Sequence, residues 1–98
     1  MVNNETANTI QALTVTNSAV TALTIPAGVT AARVFITVET AAIRFRYDAN
    51  NPTAGIGGGH PLAANNSITI EGKVNVEGLR MIAQTATDAK VYVTLEVQ

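Results

Sequence analysis

The chain contains one histidine and no cysteine. Any chemistry it performs must therefore come from hydroxyls, amides, carboxylates, guanidinium groups and a single imidazole. That histidine, His60, closes a glycine-rich run, Gly55-Ile56-Gly57-Gly58-Gly59-His60. A dinucleotide-binding glycine loop needs a strand before it and a helix after it. Pro61 and the Asn-rich stretch beyond it open no such helix, and no Gly-Lys-Ser/Thr follows. The run is expected to be a mobile surface loop whose missing side chains allow a neighbour's backbone to come close. A hydrolytic triad would have to combine Ser18 or Ser67 with His60 and Asp48 or Asp88. No nucleophile elbow surrounds either serine.

Paired carboxylates for glycoside hydrolysis would flank a cleft. Glu39, Asp48, Glu71, Glu77, Asp88 and Glu96 instead fall at strand ends or outward positions, where solvated charges belong. A metal site recruits several His, Cys, Asp or Glu ligands, and His60 has no such company in the sequence. The absence of cysteine excludes both disulfides and thiolate zinc. The expectation is a non-enzymatic protein without cofactor or metal. Arg44 and Arg46 share an outward face, with Phe35 placed between them. They read equally well as a solvated face or as a docking patch, since Arg and aromatic residues are enriched at interfaces.

The elements that carry these residues show a period of two. In Lys90 to Val97, Val91, Val93, Leu95 and Val97 alternate with Lys90, Tyr92, Thr94 and Glu96, which is the pattern of a half-buried strand. Arg33 to Glu39 repeats it with Val34, Ile36 and Val38 inward. Ile43 to Asp48 does so with Ile43, Phe45 and Tyr47 inward, and Ser67 to Glu71 adds a fourth run. Weaker candidates are Gln11 to Thr16, Ala22 to Ile25, Lys73 to Val76 and Leu79 to Gln84. Thr, Val and Ile crowd these runs and favour strand over helix.

Turn signals separate them at Pro26-Ala27-Gly28, Asn50-Asn51-Pro52, Gly55 to Pro61, Ala64-Asn65-Asn66, Gly72, Gly78 and Thr87-Asp88. This punctuation predicts an all-β, single-domain antiparallel β-sandwich, jelly-roll-like or Ig-like, with about seven or eight short strands. It would span residues 9–98 behind an N-terminal arm, residues 1–8. A hairpin is expected between Arg33 and Asp48, joined by Glu39 to Ala42. It would set Val38 opposite Ile43, Ile36 opposite Phe45 and Val34 opposite Tyr47. Outside, Phe35 would meet Arg46 and Arg33 would pair with Asp48.

Composition narrows the function classes. At 98 residues the chain is one domain. Its 13% charged residues are about half the roughly 25% of an ordinary soluble domain. The net charge of −1 supplies no basic patch for nucleic acid. No apolar run approaches the length of a membrane span. The polar start, MVNNETANTI, does not read as a secretory signal, so the Asn4-Glu5-Thr6 and Asn65-Asn66-Ser67 sequons read as chance matches. Low charge with ordinary hydrophobicity leaves a surface of Thr, Ala and Asn, which suits a subunit covered by neighbours.

The stretch Ile36 to Asp48, then Asn51-Pro52-Thr53 and Gly55, then Gly57 to Pro61, Ile68-Thr69-Ile70 and Thr87 to Thr94 resembles a class of small tailed-bacteriophage structural proteins. The shared pattern is a Val-Glu…Ile-Arg…Arg…Asp…Pro-Thr core and a Val- and Tyr-rich last strand. Two features depart from it: Asp48-Ala49-Asn50-Asn51 stands where the class has an Asp-Gly turn, and the run Gly57 to Gly59 is long. The resemblance implies a virion component assembled in the host cytoplasm. The role expected is a capsid decoration or cement protein that stabilises contacts between major capsid subunits. A place at the head–tail neck or tail is the alternative, and a carbohydrate-binding or adhesion module a more distant one. The implied partners are the major capsid protein or other virion proteins, with self-association, as a trimer at a threefold position, and with neither nucleic acid nor membrane. Val2, Asn3, Asn4, Phe35, Arg44, Arg46, Gly57, Gly58, Gly59 and His60 are the expected contact residues.

Overall fold

Alternating Val, Ile and Leu residues give each strand one apolar face, and two such faces closed on one another make the fold. A computed structural model describes residues 6–25 and 28–97. Its strands are β1 (Thr6–Val15), β2 (Thr21–Ala22), β3 (Ala31–Glu39), β4 (Ile43–Arg46), β5 (His60–Leu62), β6 (Ser67–Glu71), β7 (Arg80–Ala83) and β8 (Ala89–Val97). One short helix, α1 (Lys73–Glu77), lies between β6 and β7. The sheets have the orders β1-β8-β3-β6 and β2-β7-β4-β5, and all ladders are antiparallel.

The pairing has a simple logic. The first strand pairs with the last, the second with the seventh, the third with the sixth and the fourth with the fifth. This is one long hairpin, wound so that its successive pairs fall alternately in two sheets. Only the connection from β4 to β5 stays within a sheet. Eight strands wound this way form a jelly roll, which decides between the two sandwich types expected from sequence.

The core is entirely apolar among the described residues. Val34, Ile36 and Val38 of β3 and Val91, Val93 and Leu95 of β8 face Ile43 and Phe45 of β4 and Met81 and Ala83 of β7. Two bulges keep this alternation in step. The β1–β8 register shifts between Ala7 and Thr9, and the β3–β8 register shifts between Ala31 and Arg33. The second bulge lets Ala31 and Val34, three residues apart, both be buried.

Several sequence expectations are corrected. The segments on either side of Thr40 do not form a hairpin: β3 and β4 lie in different sheets. Val34, Ile36 and Val38 meet Ile43 and Phe45 across the core, not along a ladder. A period of two shows which residues face inward, and that is the same for two paired strands as for two strands in facing sheets. Phe35 therefore sits opposite Thr69 and Thr94, remote from Arg46 in strand pairing. Arg33 pairs with Glu96 at 2.6 Å, not with Asp48. Tyr47 lies past the end of β4 and is 40% exposed. Lys73 to Val76 forms the turn of α1, not a strand. Between Gly72 and Gly78, a helix turns Val76 into the core while Val74 faces solvent. Lys73 and Glu77 pair at 2.8 Å across that turn. Of the expected arm, residues 6–8 begin β1, and residues 1–5 lie outside the described residues.

The change of sheet after β3 is made by Thr40, whose φ is 80°. The Ala41 N–H donates to the Glu39 carbonyl at 3.0 Å, closing a γ-turn of the rare, strained hand. A β-branched residue is costly at such a φ. Replacing Thr40 with Gly should stabilise the fold by about 1 kcal/mol, raising Tm by roughly 4–8 °C in a domain of this size. A thermal melt of the Thr40→Gly protein checks this.

Candidate functional site

The expected contact residues separate into two places. Phe35 stands alone on the outer face of the first sheet, while Arg44, Arg46 and the run from Gly57 to His60 gather at the β4–β5 end of the second. Val2, Asn3 and Asn4 lie outside the described residues.

On the first sheet, strand register assembles a surface that sequence alone did not show. Ile10, Thr94, Phe35 and Thr69 form one row across β1, β8, β3 and β6. Ala12, Tyr92, Thr37 and Ser67 form the next. Ile10 is 68% exposed, Phe35 39% and Tyr92 37%. No charge falls in either row. Among the described residues, the charges of this face lie at its two ends, with Arg33, Glu96 and Glu71 at one and Lys90 and Glu39 at the other. Ile10 and Tyr92 join Phe35 here because alternation fixes which side they share and pairing fixes which are neighbours.

At the other place, the loop between β4 and β5 is built around Asp48. Arg46 grips its carboxylate with two hydrogen bonds, Nε to Oδ1 at 3.0 Å and Nη2 to Oδ2 at 2.5 Å. The Asn50 N–H donates to Oδ1 at 3.2 Å, so Asp48 also organises the turn that follows it. The hydrogen bonds from Arg46, and then those from Asn50, hold the Asp48 carboxyl well below the ordinary aspartate range. The same pairing raises Arg46. Ala49 is fixed through its N–H to the Gly78 carbonyl at 3.1 Å.

The glycine run lies in a surface loop, as expected, and is tied down by hydrogen bonds. Thr53 N–H donates to the Gly58 carbonyl at 2.8 Å, and Gly58 N–H to that of Gly55 at 3.0 Å. Arg44 Nη1 donates to the Gly59 carbonyl at 3.0 Å. A Cβ on Gly58 would overlap the Thr53 backbone, and one on Gly59 would lie 2.9 Å from the Phe45 carbonyl oxygen. The close approach that glycine permits is thus internal.

This packing sets three rings together. His60 pairs with Phe45 across the β4–β5 ladder, with ring centroids 5.4 Å apart. Tyr47 lies 6.0 Å from His60, with ring planes within 17° of parallel. A cleft of about 480 Å³ opens beside them, lined by Arg46, Tyr47, Asp48, Gly57, Gly59 and His60. A second, of about 370 Å³, shares Tyr47 and His60 and reaches Leu62 of β5 and Ile68 of β6. It marks where the edges of the two sheets part.

The arrangement supplies recognition groups. Among the described residues no three His, Cys, Asp or Glu side chains converge on a metal position. The Ser18 hydroxyl is shared with Thr16, Ser67 lies opposite Thr37 in β6, and His60 stacks on rings. The outer face of the second sheet carries Arg46 directly opposite Arg80, with Arg44 on the same strand. Arg80 donates to the backbone carbonyls of Glu77 and Leu79. No family model, no curated protein and no solved structure matches the chain.

The Arg46–Asp48 pair has a defined pH behaviour. Because the folded-state pKa of Asp48 is lowered, its contribution is present above the ordinary aspartate value and is lost as pH falls through the lower folded value. Replacing Arg46 with Ala should return the Asp48 titration towards the ordinary range. Carboxyl-detected NMR titration of the wild-type and Arg46→Ala proteins reads this directly.

Proposed function

We propose that the chain is a non-enzymatic structural subunit of a tailed-bacteriophage virion, a decoration or cement protein bound across contacts between major capsid subunits. The observation that carries this reading is the uncharged middle of the outer face of the first sheet, with Ile10, Phe35 and Tyr92 set among threonines. A free monomer gains solubility from surface charge, and the middle of this face supplies none between its charged ends. Exposed aromatic residues on a rigid sheet are the anchors that interfaces favour.

The size of the face bears on how it would work. Nine-residue strands extend about 30 Å, and four strands span roughly 19 Å. Such a face covers less than the roughly 800 Å² per partner of a standard stable interface. One copy on one capsid contact would be held weakly. A self-associated unit, such as a trimer at a threefold position, engages several contacts at once and gains avidity without new chemistry.

The alternative within the same class is a neck or tail component, and copy number separates the two. Quantitative mass spectrometry of purified particles of the phage encoding this chain should find it in hundreds of copies, comparable to the major capsid protein. About a dozen copies, as a closed ring would give, would support the neck reading, and absence from particles would end both. In the decoration reading, Phe35→Glu and Tyr92→Glu proteins should fold normally yet bind undecorated particles at least tenfold more weakly.

A further inference from the structure

We propose that the 480 Å³ cleft between Tyr47 and the Arg46–Asp48 pair is a binding site for a hexopyranose ring of a glycan. The sequence counted Tyr47 as core and so left too few exposed aromatic residues for such a site. The fold returns Tyr47 to the surface and seats it beside His60, with their planes within 17° of parallel. An aromatic face carries negative charge density and attracts the C–H-bearing face of a sugar ring. The cleft volume falls within the range of small-molecule sites, which combine apolar walls with a few converging polar groups.

The polar groups have the right unused capacity. A carboxylate offers about four acceptor positions and a guanidinium five N–H donors. Asp48 accepts two hydrogen bonds from Arg46 and one from the Asn50 N–H, and the Asn50 side chain also acts on the carboxylate, where a sugar hydroxyl would take its place. Arg46 spends two donors on Asp48 and keeps three. A neighbouring pair of sugar hydroxyls, one donating to Asp48 and one accepting from Arg46, completes this set.

The groups are also held in place before any ligand arrives. Asp48 is fixed from both sides of its turn, Ala49 is tied to Gly78, and the opposite wall is the pinned Gly57–Gly59 run. Such preorganisation reduces the cost of binding. This site stands on the second sheet and its β4–β5 loop, so it is independent of the virion reading, which rests on the outer face of the first. A chain docked through that first face would leave the cleft uncovered.

The test is a titration of ¹⁵N-labelled protein with the methyl glycosides of glucose, galactose and mannose, followed by amide shifts. We expect saturable shifts at Tyr47, Asp48, Gly57, Gly59 and His60 with at least one glycoside, at an affinity of order millimolar. Tyr47→Ala and Asp48→Asn should each weaken that binding at least fivefold, with retained amide dispersion showing that each protein is folded. Phe35→Glu, on the far face, should leave it unchanged. The proposal is overturned if no glycoside gives saturable shifts, or if both cleft variants, folded, bind as the wild type does.

Discussion

The first sheet depends on its last strand. β8 lies between β1 and β3 and is paired along its length with both. Its inward residues Ala89, Val91, Val93 and Leu95 are completely buried. Without β8 the strands β1 and β3 have no ladder to share, and the apolar faces of β4 and β7 lose part of their cover. The sheet therefore closes only when the C-terminal strand inserts between two strands from the first half of the chain. Such non-local pairing makes folding slow compared with helical domains and makes stability cooperative. The strands of the first sheet contribute only Val, Ile, Leu and Ala to the buried core, the second sheet adds Phe45 and Met81, and the described core holds no polar residue.

Winding the chain as one hairpin also sorts its surface. The β4–β5 connection is the innermost turn of that hairpin and the only one that stays within a sheet. It has room for a thirteen-residue loop, residues 47–59, which carries the Asp48 turn and the glycine run. Glycine matters there because the loop folds back onto its own backbone at Thr53 and Phe45. The outer face of the first sheet is built instead from long paired strands and carries its charges at the two ends. One side of the molecule is thus suited to broad contact and the β4–β5 end to a small ligand. The low charge of the chain is not spread evenly: Arg44, Arg46 and Arg80, half of its six basic residues, lie on the outer face of the second sheet.

Alternation made the inward residues legible from sequence, and Val34, Ile36, Val38, Val91, Val93 and Leu95 are all buried. The all-β sandwich followed from them. Partnership was not legible, because an inward residue looks the same whether its neighbour lies along the sheet or across the core. That is why the segments flanking Thr40 read as a hairpin. The helix α1 left a faint signal in the Lys73–Glu77 spacing between two glycines, which the alternation of Val74 and Val76 obscured. Of the site, Arg46, the glycines and His60 were legible by type. The grip of Arg46 on Asp48 was not, since the two were assigned to different partners. Ile10 and Tyr92 could be recognised as neighbours of Phe35 only once strand order was known.

The central claim is that the outer face of the first sheet, uncharged in its middle rows, is what this protein uses to assemble. A cryo-electron microscopy map of the virion proposed to carry this chain tests it most directly. The account predicts density for the jelly roll on the outer capsid surface, with Ile10, Phe35 and Tyr92 against the shell or a neighbouring copy, and the Tyr47 cleft open to solvent. A map in which that face is bare to solvent while the chain is held through other surfaces would contradict it.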